Sequence, residues 1–298
     1  MSEATLFPGF DERVTPVPGG RMRYFVGGGG PSLVLVHGLG GAATNWVELA
    51  AILSQRFRVL VPDLPGHGRS KPLAAGAGLS SFADRVALCA EREEMLPAAV
   101  VGHSLGGAVT LRLALQRPEA VSALVLAAAA GISSSSLRAR AGLVALGVLR
   151  PSRVAARYRD RIAESPALKR LVFRMLARDP EGLSAETVHG FLAGSALVTD
   201  SGTAGAALVA EDPRTELDQV QCPALVLWGA RDWFLPLDDG YEYARRLGAP
   251  VRVLPDTGHL LIAERPAECA RLIAEWLDGV REVDELPVEA EAVGQDRR

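Results

Sequence analysis

The sequence has few cysteines and no excess of positive charge. Its three cysteines, Cys89, Cys222 and Cys269, are far apart and form no Cys-x-x-Cys pair. This number and spacing argue against a disulfide framework and against a zinc site built from paired cysteines. The 32 basic and 35 acidic residues leave a formal charge of −3. Because binding to nucleic-acid phosphates needs a basic excess, we expect no nucleic-acid partner.

Long apolar runs are also missing. The most apolar stretch, Val121 to Ile132, has about a dozen residues, whereas a helix needs about 20 to cross a bilayer. The N-terminal residues contain no basic segment followed by an apolar one, so no secretory signal peptide is predicted. These features predict a cytoplasmic protein without an integral membrane segment.

The composition is that of a globular protein, with 48% hydrophobic and 22% charged residues in a chain of 298. Short aliphatic runs alternate with longer segments of helical spacing, which is typical of βαβ units and a mostly parallel sheet. The runs that we interpret as strands are Leu33 to His37, Val59 to Pro62, Ala98 to Gly102, Val121 to Ala127, Ala224 to Trp228 and Val251 to Pro255. Before them, Arg13 to Val17 and Arg21 to Val26 flank Pro-Gly-Gly and predict an antiparallel hairpin. The prediction is an α/β fold with an eight-stranded sheet flanked by helices.

The alternation is interrupted once, by a long stretch in which Leu, Ala and Arg recur at helical spacing and no strand is predicted. We predict that 133–212 form an inserted helical cap. It divides one α/β core into a first part, 1–132, and a second part, 213–282. The acidic, aperiodic residues 283–298 predict a disordered tail.

The clearest chemical motif is Gly-His-Ser-Leu-Gly at 102–106, which directly follows a predicted strand and directly precedes a helical run. A serine on a sharp strand-to-helix turn needs small residues on both sides, because the strained backbone leaves little room. Such a turn lifts the Ser104 hydroxyl clear of the sheet, beside a helix N-terminus that favours developing negative charge. Ser104 is therefore the predicted nucleophile, and the N–H of Leu105 is a predicted oxyanion donor.

A serine hydroxyl needs a base within hydrogen-bond reach, and histidine is the natural choice. Of the five histidines, four are interpreted as structural or lie in the predicted cap: His37, His67, His103 and His189. His259 follows the last predicted strand, in a loop at the carboxyl edge of the sheet that would bring it over Ser104. His259 is therefore the predicted base.

The base needs a carboxylate that holds its tautomer. Asp232 follows the predicted strand at 224–228, again at a carboxyl end, and is our candidate. Asp256 lies closer to His259 in the sequence and is the alternative, although it belongs to the turn that leaves its own strand. Residues 128–136 contain no acid, so the loop after the preceding strand supplies none.

With these motifs the sequence resembles the α/β-hydrolase superfamily, and within it the bacterial carboxylesterases and monoacylglycerol-lipase-like enzymes. The resemblance covers Arg13 to Leu277 and is weakest in the predicted cap. It rests on His37-Gly38, the loop from Asp63 to Ser70, the turn at Ser104, the Gly-x-x-Asp loop that ends at Asp232, and Gly258-His259.

The resemblance implies a serine hydrolase that cleaves small carboxylic esters through an acyl-enzyme, with no metal and no cofactor. Ser104, Asp232 and His259 would form its catalytic triad, in the chain order expected for this fold. In the family, the residue after the His-Gly pair gives the second oxyanion N–H, which here is Leu39. Trp46, Trp233 and Leu260 are candidate pocket residues, with plain packing as an equal alternative.

Other activities of this superfamily require particular residues at the same positions. Haloalkane dehalogenases and epoxide hydrolases attack with an aspartate, whereas this chain has Ser104. Carbon–carbon bond hydrolases and cofactor-free perhydrolases share the serine triad and stay open. The carbon–carbon hydrolases typically carry Trp after the catalytic histidine, where this chain has Leu260. A binding protein on the same scaffold, without catalysis, is the alternative from a different functional class.

Overall fold

The computed structural model describes residues 7–133 and 151–284. Its centre is one eight-stranded sheet of order β1-β2-β4-β3-β5-β6-β7-β8. The strands are β1 (Phe10–Val17), β2 (Gly20–Gly27), β3 (Ser32–Val36), β4 (Arg58–Pro62), β5 (Ala98–His103), β6 (Val121–Ala127), β7 (Ala224–Gly229) and β8 (Val251–Leu254). The β1–β2 and β2–β4 pairs are antiparallel, and the other five pairs are parallel. The predicted fold class is confirmed.

The strand ends reflect how each strand is buried. β5 and β7 are buried along their whole length, which agrees with their continuous apolar runs. β1 begins at Phe10, three residues before the predicted start at Arg13, and most of it is exposed. Because β1 is an edge strand with polar side chains, its first residues carry no apolar pattern that could have predicted them.

Eleven helices lie within the described ranges: α1 (Val47–Leu53), α2 (Leu79–Arg92), α3 (Leu105–Gln116), α4 (Pro151–Arg157), α5 (Arg159–Glu164), α6 (Pro166–Phe173), α7 (Ala185–Ala196), α8 (Gly202–Ala210), α9 (Leu237–Leu247), α10 (Leu261–Glu264) and α11 (Pro266–Asp284). α2 packs on α3, and α1 packs on α11. The buried residues of α2 recur at spacings of three and four, so one apolar face of the helix turns inward. In the part of the chain that the structure describes, none of the helices has the length and apolar content that a bilayer crossing requires.

The stretch between β6 and β7 is helical in its described part, where it holds α4 to α8 and no strand. We call residues 151–212 the helical segment. Residues 134–150 of the predicted cap and 285–298 of the predicted tail lie outside the described residues. The division into two core parts, cap and tail therefore stays a prediction.

Two buried apolar clusters hold these parts together. The larger one surrounds the sheet and includes buried residues of β2 to β8, while Phe10 and Val17 of β1 are partly buried against it. The smaller one joins the helical segment to the chain after β8, and its members are Ile162, Ala163, Phe173, Ala177, Leu183, Val188, Leu192, Leu260 and Ala263. The helical segment thus packs on residues that directly follow the last strand.

Candidate active site

Ser104 lies on the sharp turn between β5 and α3, with φ 54° and ψ −119°. A non-glycine residue with positive φ is strained and persists only where its surroundings hold it. Its N–H donates to the carbonyl of Ala127 at 3.1 Å, and its own carbonyl accepts from the N–H groups of Gly107 and Ala130, both at 2.9 Å. Hydrogen bonds from the end of β6 and the start of α3 therefore fix the turn.

The glycines on both sides of this turn allow three elements to approach closely. A Cβ atom at Gly102 would lie 2.3 Å from the carbonyl oxygen of Gly106, and one at Gly106 would lie 2.1 Å from that of Val36. β5, α3 and the end of β3 meet here without room for a side chain. The motif therefore needs glycine at these positions.

His259 and Asp232 form a buried hydrogen-bonded pair. Nδ1–H of His259 donates to Oδ2 of Asp232 at 2.8 Å, and both side chains are almost completely buried. The other carboxylate oxygen accepts from the N–H groups of Phe234 at 2.8 Å and Leu235 at 2.9 Å. Because the carboxylate can only accept, the proton of the histidine lies on Nδ1, and Nε2 is left as a base.

The alternative acid, Asp256, does not reach this pair. Its side chain is 74% exposed and forms a long ion pair with Arg231 at 4.0 Å. The structure thus brings Asp232, and not Asp256, to His259.

Ser104 follows β5 and His259 follows β8, two parallel strands that end at the same edge of the sheet with β6 and β7 between them. The ring of His259 lies 4.9 Å from that of His103, the residue just before Ser104. Neither the Ser104 hydroxyl nor Nε2 of His259 makes a hydrogen bond to another described residue. Hydrogen bonds of this kind often tighten only when a substrate is bound.

His103 is hydrogen-bonded to the backbone of His259. Its Nε2–H donates to the carbonyl of His259 at 2.9 Å. Burial lowers the pKa of His103 to about 3, so the ring is uncharged and does not repel an imidazolium at His259. The sequence suggested a structural role for His103 but not its partner. The two residues are 156 positions apart, and a contact over that separation leaves no local pattern.

The loop at 38–44 contains Leu39, one of the two predicted oxyanion donors; the other, Leu105, is fully buried at the start of α3. His37 fixes this loop, because its Nδ1–H donates to the Gly38 carbonyl at 2.8 Å while its Nε2 accepts from the N–H of Leu64 at 2.9 Å. Burial lowers the pKa of His37 to about 3, which keeps the ring neutral and able to donate and accept at once. A carboxylate oxygen of Asp63 accepts from the N–H of Ala43 at 2.8 Å and holds the far end of the loop.

The three candidate pocket residues lie in different surroundings. Trp46 is fully buried in the larger cluster, Leu260 is buried in the smaller one, and Trp233 is 84% exposed. Phe234, which sequence reasoning did not single out, has its ring 5.2 Å from that of His259 and is partly exposed. Its position two residues after Asp232 was the feature of the sequence that could have indicated a place near the site. A pocket role for these residues stays a prediction.

The helical segment contacts the loops on both sides of Ser104. Towards the 38–44 loop, the Ser195 hydroxyl donates to the Gly40 carbonyl at 3.1 Å, and the Thr44 hydroxyl donates to the Gly190 carbonyl at 2.7 Å. Towards the loop of His259, the N–H of Leu260 donates to the Leu176 carbonyl at 3.1 Å. Sequence reasoning missed these contacts, since hydrogen bonds to backbone carbonyls leave no mark on residue type.

Neither thiols nor metal ligands add to this site. Burial raises the pKa of Cys89 and of Cys269 to about 12, so these thiols stay protonated. Among the described residues, no three His, Cys, Asp or Glu side chains are grouped so that they could hold a metal ion.

Comparison with known proteins gives the same fold over most of the chain. The model of a family described as having the alpha/beta hydrolase fold matches residues 31–266. The dihydrolipoyllysine-residue acetyltransferase component of the acetoin cleaving system of Pseudomonas putida is 34% identical over 271 residues, which are 86% of this chain and 68% of that protein. The pimeloyl-[acyl-carrier protein] methyl ester esterase of Chromobacterium violaceum is 29% identical over 258 residues, 84% of this chain and 96% of that protein. A solved structure of a thermophilic esterase from Thermogutta terrifontis has a TM-score of 0.70 at 25% identity, covering 91% of this chain and 98% of that one.

Proposed function

The chain belongs to the α/β-hydrolase family, and from that premise we propose that it is a serine hydrolase that cleaves carboxylic esters. The observation that carries the proposal is the buried hydrogen bond between Asp232 and His259, 2.8 Å long, next to a serine on a strained turn. A serine, a histidine and an acid in these relations have the parts of an acyl-transfer centre. The proposal includes a small-molecule substrate, a cytoplasmic location, and no metal or cofactor.

In the proposed reaction, Nε2 of His259 takes the hydroxyl proton of Ser104 while Oγ attacks the ester carbonyl carbon. The carbonyl oxygen gains negative charge and accepts hydrogen bonds from the N–H groups of Leu39 and Leu105, and such a donor contributes about 10²- to 10³-fold in rate. The imidazolium, stabilised by Asp232, then gives its proton to the leaving alcohol. Water, deprotonated by the same histidine, hydrolyses the acyl-enzyme and restores Ser104.

The names of the relatives support acyl transfer as the reaction class. Two of them are esterases, which transfer an acyl group to water, and one is an acetyltransferase, which transfers it to another acceptor. All three names involve an acyl group that leaves one partner for another.

The decisive experiment removes the Ser104 hydroxyl. We expect Ser104→Ala to lower kcat for a nitrophenyl ester by about 10⁶-fold and to abolish labelling by a fluorophosphonate probe. Ser80→Ala, which changes an exposed serine on α2, is the matched control and should retain activity and labelling.

The substrate class is tested separately. Nitrophenyl esters of rising chain length are compared with a vinylogous diketone and with a peroxide-forming assay. Faster turnover of the diketone or of the peroxide reaction would contradict the ester proposal. Absence of labelling in the wild-type protein would favour a binding protein.

A further inference from the structure

The carboxylate of Glu264, at the end of α10, joins two separate parts of the chain. Its Oε1 accepts from the N–H of Gly258 at 2.8 Å. Its Oε2 accepts from the N–H groups of Arg178 at 2.8 Å and Asp179 at 3.0 Å. One side chain therefore satisfies three backbone donors, while burial raises the pKa of its carboxyl group.

The two parts that Glu264 joins have different roles. Gly258 directly precedes His259, the proposed base, whereas Arg178 and Asp179 belong to the turn that follows α6 in the helical segment. The carboxylate thus lies between the loop that carries the base and the segment that covers the chain after β8. It touches neither Ser104 nor His259 directly, so any effect on the reaction must pass through the backbone.

The same two parts are also in close backbone contact. A Cβ atom at position 258 would lie 2.7 Å from the nitrogen of Arg178 and 2.9 Å from the carbonyl oxygen of Leu176. The N–H of Leu260, on the other side of His259, donates to that Leu176 carbonyl at 3.1 Å. The turn at 176–179 therefore lies directly on both neighbours of His259.

The loop of His259 has a second set of anchors on the sheet side. The His259 carbonyl accepts a hydrogen bond from Nε2–H of His103, and the His259 ring donates one to Asp232. Those anchors fix the residue itself, while Glu264 and the turn at 176–179 fix the residues before and after it.

We propose that Glu264 is a positioning residue for the base: it holds the loop of His259 against the helical segment, so that the geometry of His259 depends on how that segment is docked. The inference rests on the proposed function, because it assigns His259 the role of base. Movement of the 176–179 turn would be transmitted to His259 through this carboxylate.

The test compares three variants. Glu264→Gln keeps the length of the side chain but has one acceptor oxygen, so it can serve Gly258 or the 176–179 turn but not both. Glu264→Asp keeps the charge and both oxygens with a shorter reach. Glu275→Gln is the matched control, because it makes the same change at a glutamate on α11 that is 60% exposed and pairs with Arg271.

Three measurements are made on each variant of the full chain: kcat and KM for a nitrophenyl ester, the rate of fluorophosphonate labelling, and amide hydrogen exchange over 174–182 and 256–262. Thermal unfolding is recorded to show that each variant is folded. Exchange is independent of catalysis, so it reports on the contact even where activity is lost.

We expect Glu264→Gln to lower kcat and the labelling rate by about 10- to 100-fold with little change in KM, since a small displacement of a group that acts in the transition state affects the chemical step. Exchange in both peptides should accelerate together. Glu264→Asp should recover part of kcat and of the protection, and Glu275→Gln should match the wild type.

Two results would overturn the inference. One is unchanged exchange at 174–182 and 256–262 in folded Glu264→Gln; the other is accelerated exchange with a wild-type kcat. A wild-type protein that never reacts with the probe would instead contradict the proposed function, and the exchange measurements would still decide whether Glu264 joins the two parts.

Discussion

The sheet and the helical segment meet the candidate site in different ways. The sheet positions the three side chains of the proposed triad, since Ser104 follows β5, Asp232 follows β7 and His259 follows β8. The helical segment provides backbone groups and a hydroxyl, which contact the 38–44 loop and the loop of His259. The proposed chemistry therefore belongs to the loops that follow the strands, whereas the helical segment contacts the backbone of those loops.

The two regions also differ in how firmly they are held. The larger cluster has buried residues from β2 to β8, while the smaller one has nine members and includes only Leu260 and Ala263 from outside the helical segment. Regions with few buried apolar contacts open at a lower free energy than the core. We therefore expect the helical segment to loosen first, and the loops that it holds to change with it.

After the loss of the Ser104 hydroxyl itself, the largest effect is expected on the sheet side, from Asp232→Asn. One carboxylate oxygen accepts from the N–H groups of Phe234 and Leu235, so the oxygen of asparagine would take that position and its NH₂ would face His259. The histidine proton would then move to Nε2, and the base would be lost. We expect kcat for a nitrophenyl ester to fall by about 10⁴-fold.

Asp256→Asn is the matched control for that change. Its side chain is 74% exposed and forms its ion pair with Arg231, so kcat should stay at the wild-type value. An equal loss of kcat in the two variants would contradict the proposal that Asp232, which follows β7, is the acid of the triad.

Sequence patterns predicted the sheet side better than the helical segment, for physical reasons. Buried parallel strands need continuous apolar runs, and a strained nucleophile turn needs glycines on both sides, so β5 and the turn at Ser104 leave marks on residue type. The docking of the helical segment depends on carbonyl oxygens, on Glu264 and on close backbone approach. A glutamate five residues after His259 resembles any surface glutamate until the donors around it are known.

Two glycines were the available sequence signal for that docking. Gly190 and Gly194 lie four apart on α7 and so share one helix face. A Cβ atom at Gly190 would lie 2.3 Å from the carbonyl oxygen of Thr44, and one at Gly194 would lie 2.6 Å from the Cβ of Ala42. The spacing of the two glycines thus marks the face of α7 that lies on the 38–44 loop.

An intermediate effect is expected from Gly190→Ala, which tests the helical segment. The new methyl group would push α7 away from Thr44 and remove the hydrogen bond to the Gly190 carbonyl, which frees the loop that contains Leu39. We expect kcat/KM for a nitrophenyl ester to fall by about 10- to 100-fold while the protein stays folded.

Gly205→Ala on α8 is the matched control, because its added Cβ would meet only Leu39 Cδ2, at an ordinary 3.9 Å. This change should leave kcat/KM unaltered and raise the helix propensity of α8 by about 1 kcal/mol. Full activity of Gly190→Ala would contradict this prediction. The contact between the helical segment and the 38–44 loop would then have no influence on the reaction.

The smallest effect is expected on the sheet side, where a fall in pH lowers the free energy of unfolding. Burial lowers the pKa of His37 and of His103 to about 3, below the ordinary value of 6.5, and it also lowers the pKa of His67. Above pH 6.5 these rings are neutral in the folded and the unfolded chain and contribute no pH dependence. As the pH falls below 6.5, the unfolded chain binds protons that the folded chain excludes, so the free energy of unfolding falls.

At pH 5.5 this linkage amounts to about 1 kcal/mol for each of His37 and His103. We expect His103→Gln, whose amide can still donate to the His259 carbonyl, to take up about one proton fewer than the wild type on unfolding near pH 5. Denaturant unfolding at pH 8 and pH 5 measures the difference, and pH 8 is the internal control because the linkage vanishes there. Equal pH dependence in both proteins would mean that His103 is already charged in the folded state, and a charged ring 4.9 Å from His259 would oppose the imidazolium that the proposed reaction requires.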